Sequence, residues 1–193
     1  MPQRLAVIGH GPTRGSEDAT FGGQNGLLRP DWLPLLRGRV ACWVSAPEPA
    51  CVETLSGLGG RAAEVLPELR GCDFGSWSGR ALADVGTAEP AAVTAWLSDP
   101  GASPHGGESL RQLIVRTGAA VDNQPWPDGL SIAVVTPLVA RAIAVHALGA
   151  PAEAIFRMDV GPLGRVIISR AAAGWRLQAL DRRLTAARPP RPR

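Results

Sequence analysis

His10 is the side chain of this sequence whose setting most suggests chemistry. It follows the apolar run at residues 5–8 and stands between two glycines, Gly9 and Gly11. A short apolar run predicts a buried strand, which would present the imidazole at the edge of a parallel sheet. Ligands of open α/β sheets bind just outside the carboxyl ends of the strands. The segment alone leaves two interpretations open, a functional histidine and a turn histidine without chemistry.

Three further segments carry residue types that suit a site. Ser-Ala-Pro at 45–47 follows an apolar run and precedes a helical pattern that contains Glu53 and Thr54. His-Gly-Gly-Glu-Ser at 105–109 precedes a second helical pattern, and Thr-Pro at 136–137 follows the apolar run at 132–135. Together with His10, these segments are the motifs on which a functional interpretation depends.

The elements that would position these motifs alternate along the chain. Strands are predicted at 4–9, 39–45, 62–66, 131–136, 154–160, 165–170 and 175–180, and helices at 48–58, 88–97, 108–121 and 137–148. Such alternation is typical of βαβ units and a parallel sheet. Because the last three strands follow one another closely, part of the sheet is expected to be antiparallel. The predicted fold is α/β, with a mostly parallel central sheet flanked by helices in three layers.

The composition predicts one domain, residues 1–181, and an Arg- and Pro-rich tail, residues 182–193, that is disordered. The 193 residues are 45% hydrophobic and carry a net charge of +3. Five of the twenty cations lie in the tail, so the remainder has fifteen cations against seventeen acids. We expect no nucleic-acid partner, because no basic face is visible, and no membrane segment, because no apolar run is long enough.

The cysteine and histidine content argues against a metal or disulfide framework. Cys42, Cys51 and Cys72 form no CxxC pair, which is typical of reduced thiols in a cytoplasmic protein. With three histidines and no carboxylates at ligand spacing, we expect neither a metal nor another cofactor. Every cation is Arg and Tyr is absent, as in a bacterium with a GC-rich genome. The strand-rich C-terminal third would suit a homodimer edge but does not require one.

In their order along the chain, the four segments resemble the histidine phosphatase (phosphoglycerate-mutase-like) superfamily. The Gly- and Trp-containing stretch at 71–79 and the Gly-Gly-Gln-Asn stretch at 22–25 are similar to loops of that family. Residues 141–151 are similar to its last crossover helix. The resemblance covers nearly the whole chain and implies the α/β fold of that family.

The resemblance also implies roles for two residues. His10 matches the family's nucleophile, which becomes a phosphohistidine. Glu108 matches the acid that protonates the leaving oxygen. In the family, two Arg and a second His surround the phosphoryl group and balance its charge. Gly11 and Thr13 match the pattern as well.

The chain departs from the family where phosphate would be bound. Gly9 stands at the position of the first Arg, Ala50 at that of the second, and Pro137 at that of the second His. Pro12 and Ser16 replace an acidic residue and an Asn. Losing one preorganised donor typically costs ~10²–10³ in rate, so three losses predict a severely weakened phosphatase. The resemblance therefore implies a divergent member with a degenerate phosphate pocket.

Other residues are candidates for a rebuilt pocket. Arg14, Arg29 and His105 are candidate replacement cations, although each is more typical of a solvated surface group. Trp32 is a candidate apolar wall, and Arg141 is expected to support the sheet end rather than bind an anion. The predicted substrate-binding residues are Gly11, Thr13, Arg14, Ser16, Trp77, His105 and Pro137.

Three functions follow from this sequence. The first is an enzyme repurposed to acid–base chemistry on a small metabolite, with His10 and Glu108 as base and acid. The second is a weakened phosphomonoesterase acting through a phosphohistidine at His10. The third is a non-catalytic pseudophosphatase that binds a metabolite or a partner, in which Glu108 merely favours the first turn of its helix.

Overall fold

Apolar runs form the parallel half of a single six-stranded sheet. Its strands are β1 (Gln3–Gly9), β2 (Cys42–Ser45), β3 (Glu64–Val65), β4 (Gly129–Val135), β5 (Arg165–Ala171) and β6 (Gly174–Asp181), in the spatial order β3-β2-β4-β1-β5-β6. The structure, a computed structural model, describes residues 2–23, 25–28 and 38–181. β1, β2, β3 and β4 pair in parallel. The carboxyl ends of β1, β2 and β4, at Gly9, Ser45 and Val135, therefore lie on the same side of the sheet.

The other half of the sheet is antiparallel. β5 pairs with β1 and β6 in opposite directions, and a two-residue connection joins β5 to β6. Gly174 has φ of +115°, which other residues rarely adopt, and it begins β6 directly after this connection. The mixed α/β sheet predicted from the sequence is confirmed.

The described residues form six helices, and two of them pack on strands of the sheet. They are α1 (Arg14–Glu17), α2 (Pro49–Gly57), α3 (Leu82–Ala88), α4 (Pro90–Ser98), α5 (Leu110–Asn123) and α6 (Pro137–Leu148). α2 packs on β2 and β4, and α6 packs on β1, β5 and β6. α6 begins with Pro137 after the capping Thr136 side chain and ends at Gly149, with φ of +58°.

Burial on both faces explains why the sequences of β1 and β4 are continuous apolar runs. In β1, Leu5, Val7 and Ile8 are fully or almost fully buried, as are residues 132–135 of β4. A central strand covered on both faces by helices has no solvated side, so its pattern does not alternate.

Two elements of the structure differ from those predicted from the sequence. The predicted strand at 154–160 is wrong, because Ala152–Arg157 forms a 3₁₀ turn that begins after Pro151 and packs on α6. Helix α1 was not predicted, because its four residues have no apolar period. Within the described residues, no helix is long and apolar enough to cross a membrane, and no group of three potential metal ligands occurs. The predicted disordered tail lies outside the described residues.

Candidate active site

The His10 imidazole is held in one tautomer at the carboxyl end of β1. Its Nδ1 lies 2.8 Å from the Gly11 carbonyl oxygen, and its backbone N–H donates to the Val135 oxygen at 2.8 Å. A carbonyl oxygen only accepts, so Nδ1 carries the hydrogen and Nε2 has the free lone pair of the neutral ring. Burial lowers the pKa of His10, while the Gly11 hydrogen bond and the charge of Glu48 act in the opposite direction. The ring is therefore neutral at pH 7.

The loop after His10 is fixed by side chains from two directions. The Gly11 N–H donates to Thr54 Oγ1 at 2.8 Å, and Thr54 Oγ1 donates to the Ala50 oxygen at 2.6 Å. Thr13 Oγ1 donates to the Gly23 oxygen at 2.8 Å, and Thr13 and Ser16 form a capping box that starts α1. Thr54 was not among the predicted site residues. In the sequence, Thr54 could have been recognised as a polar residue within the apolar pattern of α2.

A cavity of about 340 Å³ lies beside His10. Three of the predicted site residues line it, namely His10, Ser16 and Pro137, whereas Gly11, Thr13 and Glu108 do not. The described residues that line it are His10, Gly15, Ser16, Ala19, Thr20, Phe21, Gly22, Gly23, Cys72, Phe74, Leu82, Trp96, Thr136, Pro137, Leu138, Arg141, Val160, Gly161 and Pro162. None of these side chains is acidic, and most are apolar.

Glu108 is not brought to this cavity. Its two carboxylate oxygens accept hydrogen bonds from Arg116 Nε at 2.8 Å and Nη2 at 2.6 Å. Both residues line a separate surface cavity of about 610 Å³. Arg116 also donates to the backbone oxygens of Glu68, Arg70 and Gly71. No hydrogen bond joins Glu108 to His10 among the described residues, and the pairing of the two in catalysis stays a prediction.

Three more predicted residues belong to the core or the surface rather than to the cavity lining. Trp77 is completely buried and donates to Glu89 Oε2 at 3.0 Å. His105 is buried with its ring 5.0 Å from that of Trp77, and its Nδ1 accepts the Gly107 N–H. The Arg14 side chain is 85% exposed and lies 3.7 Å from Asp18. Arg29 and Trp32 lie outside the described residues.

The positions that would carry the phosphate-binding side chains are packed with apolar groups. A Cβ placed on Gly9 would lie 3.0 Å from the Gly161 oxygen and 3.3 Å from Pro137 Cγ. Ala50 is fully buried at the start of α2. Because Pro137 packs close to Gly9, the space that a side chain would need at residue 9 is already taken.

Two features of the cavity were missed or misjudged from the sequence. Arg141 lines it, and burial lowers the pKa of this guanidinium, while the charge of Asp159 raises it. The rings of Phe21, Phe74 and Trp96 form an aromatic cluster with centroids 5.0–6.1 Å apart. The sequence places these rings in three separate segments, so their meeting depends on the tertiary fold.

The acid whose charge acts on the His10 imidazole is Glu48, which was not singled out from the sequence. Glu48, at the N-terminus of α2, is the acid whose charge raises the pKa of His10. Its Oε1 accepts the Gly71 N–H at 2.6 Å. Cys72, beside Gly71, lines the cavity, but burial raises the pKa of its thiol to about 12. The thiol is therefore protonated and is a poor nucleophile.

Known proteins match both the sequence and the fold. The family model of the histidine phosphatase superfamily (branch 1) matches residues 34–182, a range that begins after His10. The bifunctional protein Rv2228c of Mycobacterium tuberculosis is 30% identical over 128 residues, and an uncharacterized Mycobacterium bovis protein, Mb2253c, matches equally. The match covers 60% of this chain but only 35% of those relatives, so the chain spans about a third of their length.

Solved structures agree over almost the whole chain. The mycobacterial glucosyl-3-phosphoglycerate phosphatase Rv2419c superposes with a TM-score of 0.75 at 23% identity, covering 93% of this chain and 98% of that protein. The α-ribazole phosphatase of Shigella flexneri superposes with a TM-score of 0.77 at 19% identity, covering 96% and 100%. At these identities the likeness is one of fold.

Proposed function

Because this chain belongs to the histidine phosphatase superfamily, we propose that it binds a small organic molecule beside His10 and performs acid–base chemistry on it. Hydrolysis of phosphate monoesters through this histidine is largely lost in this proposal. The observation that carries it is the lining of the 340 Å³ cavity, in which Arg141 is the one arginine among the described residues. A volume at the low end of the usual range of about 300–1,000 Å³ suits a small ligand.

His10 alone suffices for a proton-transfer cycle. Its neutral Nε2 accepts a proton from the bound molecule, and the imidazolium returns that proton later in the reaction. The Nδ1–H bond to the Gly11 oxygen and the charge of Glu48 both favour the imidazolium that forms. The role given to Glu108 in the sequence-based hypothesis is not needed, because Glu108 is bound by Arg116.

A weakened phosphomonoesterase is the second candidate, because Arg141 supplies one cation beside His10. A phosphate dianion would still meet Gly9, Ala50 and Pro137 where the resemblance places its ligands. Each missing preorganised donor typically costs ~10²–10³ in rate. The one arginine of the described lining therefore supports slow turnover at most.

The experiment compares wild-type protein with His10→Gln on two sets of substrates. The first is a panel of phosphomonoesters that includes p-nitrophenyl phosphate, glucosyl-3-phosphoglycerate and α-ribazole phosphate, with detection of acid-labile phosphohistidine. The second is a pool of phosphate-free metabolites followed by mass spectrometry. We expect no phosphohistidine and slow or absent phosphate release, together with a His10-dependent change of a phosphate-free compound.

His146→Gln is the matched control, since His146 does not line the cavity and its ring contacts Asp122 of α5. Rapid phosphate release with a labelled His10 would replace the proposal by the phosphatase. Absence of any His10-dependent conversion would leave a binding protein, the third function considered above, and would overturn the enzyme proposal.

A further inference from the structure

Two residues that line the cavity beside His10 each carry a buried hydrogen-bond donor that lacks an acceptor. Arg141 Nε and Trp96 Nε1 are inaccessible to solvent and have no partner among the described residues. Both side chains line the same cavity. Buried donors are almost always paired, so two residues of one lining with an unpaired donor are an exception and mark an incomplete set of hydrogen bonds.

The charges of the described residues around the cavity favour a bound anion. No described lining residue is acidic, His10 is neutral, and the Cys72 thiol is protonated. The charge of Asp159 acts on Arg141, but Asp159 is not a lining residue. Arg141 also lies one turn into α6, whose N-terminus carries a partial positive charge. A negative group at Arg141 would thus find favourable charge without a competing carboxylate in the lining.

Among the described lining residues there is one arginine, which favours a monoanion over a dianion. One guanidinium presents a planar fork of donors that matches a carboxylate in a bidentate arrangement. A phosphate dianion usually needs more than one cation, and Gly9, Ala50 and Pro137 provide none. The aromatic cluster of Phe21, Phe74 and Trp96 offers an apolar surface for the rest of the ligand.

We infer that the cavity binds a small organic carboxylate, with the carboxylate on Arg141 and the apolar body against Phe21, Phe74 and Trp96. The inference rests on the proposed function for its reaction, since His10 would act on the bound molecule. It goes further by assigning an anchor residue and a substrate class, which can be tested by binding alone.

Isothermal titration calorimetry with three probes of one shape tests the charge preference. Phenylacetate carries the carboxylate, phenylacetamide is its neutral counterpart, and benzylphosphonate carries the alternative oxyanion. We expect phenylacetate to bind about ten- to hundredfold more tightly than phenylacetamide, the gain typical of a charge-assisted contact. Equal binding of acid and amide, or no binding of the acid below about 10 mM, would overturn the inference. Tighter binding of benzylphosphonate would assign the site to phosphate-like anions and overturn the carboxylate.

Variants then assign the anchor. Arg141→Gln is expected to remove the preference for the acid while leaving weak amide binding, and Arg141→Lys to retain part of it. Arg111→Gln is the matched control, because Arg111 lines the other cavity and is 56% exposed. An unchanged acid preference in a folded Arg141→Gln protein contradicts the anchor. If that variant does not fold, the Arg141→Lys and probe comparisons still decide.

A fourth protein separates this inference from the proposed function. His10→Gln is expected to keep the preference for the acid over the amide, because the anchor is Arg141, even where its overall affinity changes. If this variant binds the acid but the wild-type protein converts no metabolite, the carboxylate site stands and the proposed enzyme fails. If the wild-type protein converts a metabolite in a His10-dependent way but shows no acid preference, the reverse holds.

Discussion

Arg116 donates hydrogen bonds to both carboxylate oxygens of Glu108, at 2.8 Å and 2.6 Å. The side chain of Arg116 is only 17% exposed and that of Glu108 only 11%. Arg116 uses its remaining donors on backbone oxygens of the stretch before Cys72. The pair thus ties the start of α5 to a stretch that runs into the cavity lining. This geometry gives Glu108 a structural role.

Glu108→Gln is therefore expected to lower the free energy of unfolding by about 1–3 kcal/mol, because a mostly buried guanidinium loses its ionic partner. Urea denaturation measures this. Glu153→Gln is the control, since its pair with Arg111 spans 3.5 Å and is more than half exposed, so a change of about 0–1 kcal/mol is expected. Loss of His10-dependent activity without loss of stability in Glu108→Gln would contradict this structural role.

The pKa of His10 predicts how stability depends on pH. Burial holds it below the ordinary value of 6.5. As the pH falls below that value, the unfolded chain takes up this proton before the folded chain does. The free energy of unfolding should therefore fall between about pH 7 and pH 5. Chemical denaturation across this range should show a smaller fall in His10→Gln, with a remainder from His105, whose pKa is lowered in the same direction. An equal fall in both proteins would exclude His10 as a source.

Glu48→Gln is expected to lower the pKa of His10 further, because the Glu48 charge favours the imidazolium. An NMR titration of the His10 ring protons measures the shift. Glu108→Gln, which removes a charge bound by Arg116, should leave the titration unchanged. A rise of the pKa in Glu48→Gln, or the same shift in both variants, would contradict the assignment of Glu48 as the charge that acts on His10.

Thr54→Val should lower the free energy of unfolding by about 1–3 kcal/mol, because the buried Gly11 N–H loses its acceptor. Gly11 also supplies the oxygen that orients His10, so the His10 ring resonances should shift. Thr117→Val is the control, since Thr117 Oγ1 donates only to the Leu113 oxygen within α5, and a loss of about 1 kcal/mol or less is expected. Equal losses with unmoved His10 resonances would show that Thr54 does not position this loop.

Gly9→Ala is expected to cost about 1–3 kcal/mol of unfolding free energy by overpacking, since its Cβ would approach Pro137 and Gly161. In a Pro137→Ala background the contact with Cγ is gone, so the cost should be smaller. Thermal and urea denaturation of the four proteins measure the coupling. Gly86→Ala in α3 is the control, because nothing lies within 4 Å of its Cβ, and should stabilise by about 0.4–1 kcal/mol. Additive costs would show that Pro137 does not close this space.

The local pattern of the sequence was enough for the sheet, the main helices and the place of His10. β1 and β4 were recognisable because strands covered on both faces have unbroken apolar runs. Gly149 marked the C-terminal end of α6, because a helix commonly ends at a residue that adopts the left-handed conformation. The absence of phosphate-binding cations was likewise visible at Gly9, Ala50 and Pro137.

The tertiary structure alone decided which side chains meet. Glu108 binds Arg116, and Arg141 lines the cavity beside His10. The aromatic cluster joins Phe21, Phe74 and Trp96 from three segments. Sequence spacing determines the face of an element on which a residue lies. The partner it finds depends on how elements distant in the chain pack together, and on which charges lose their water when they do.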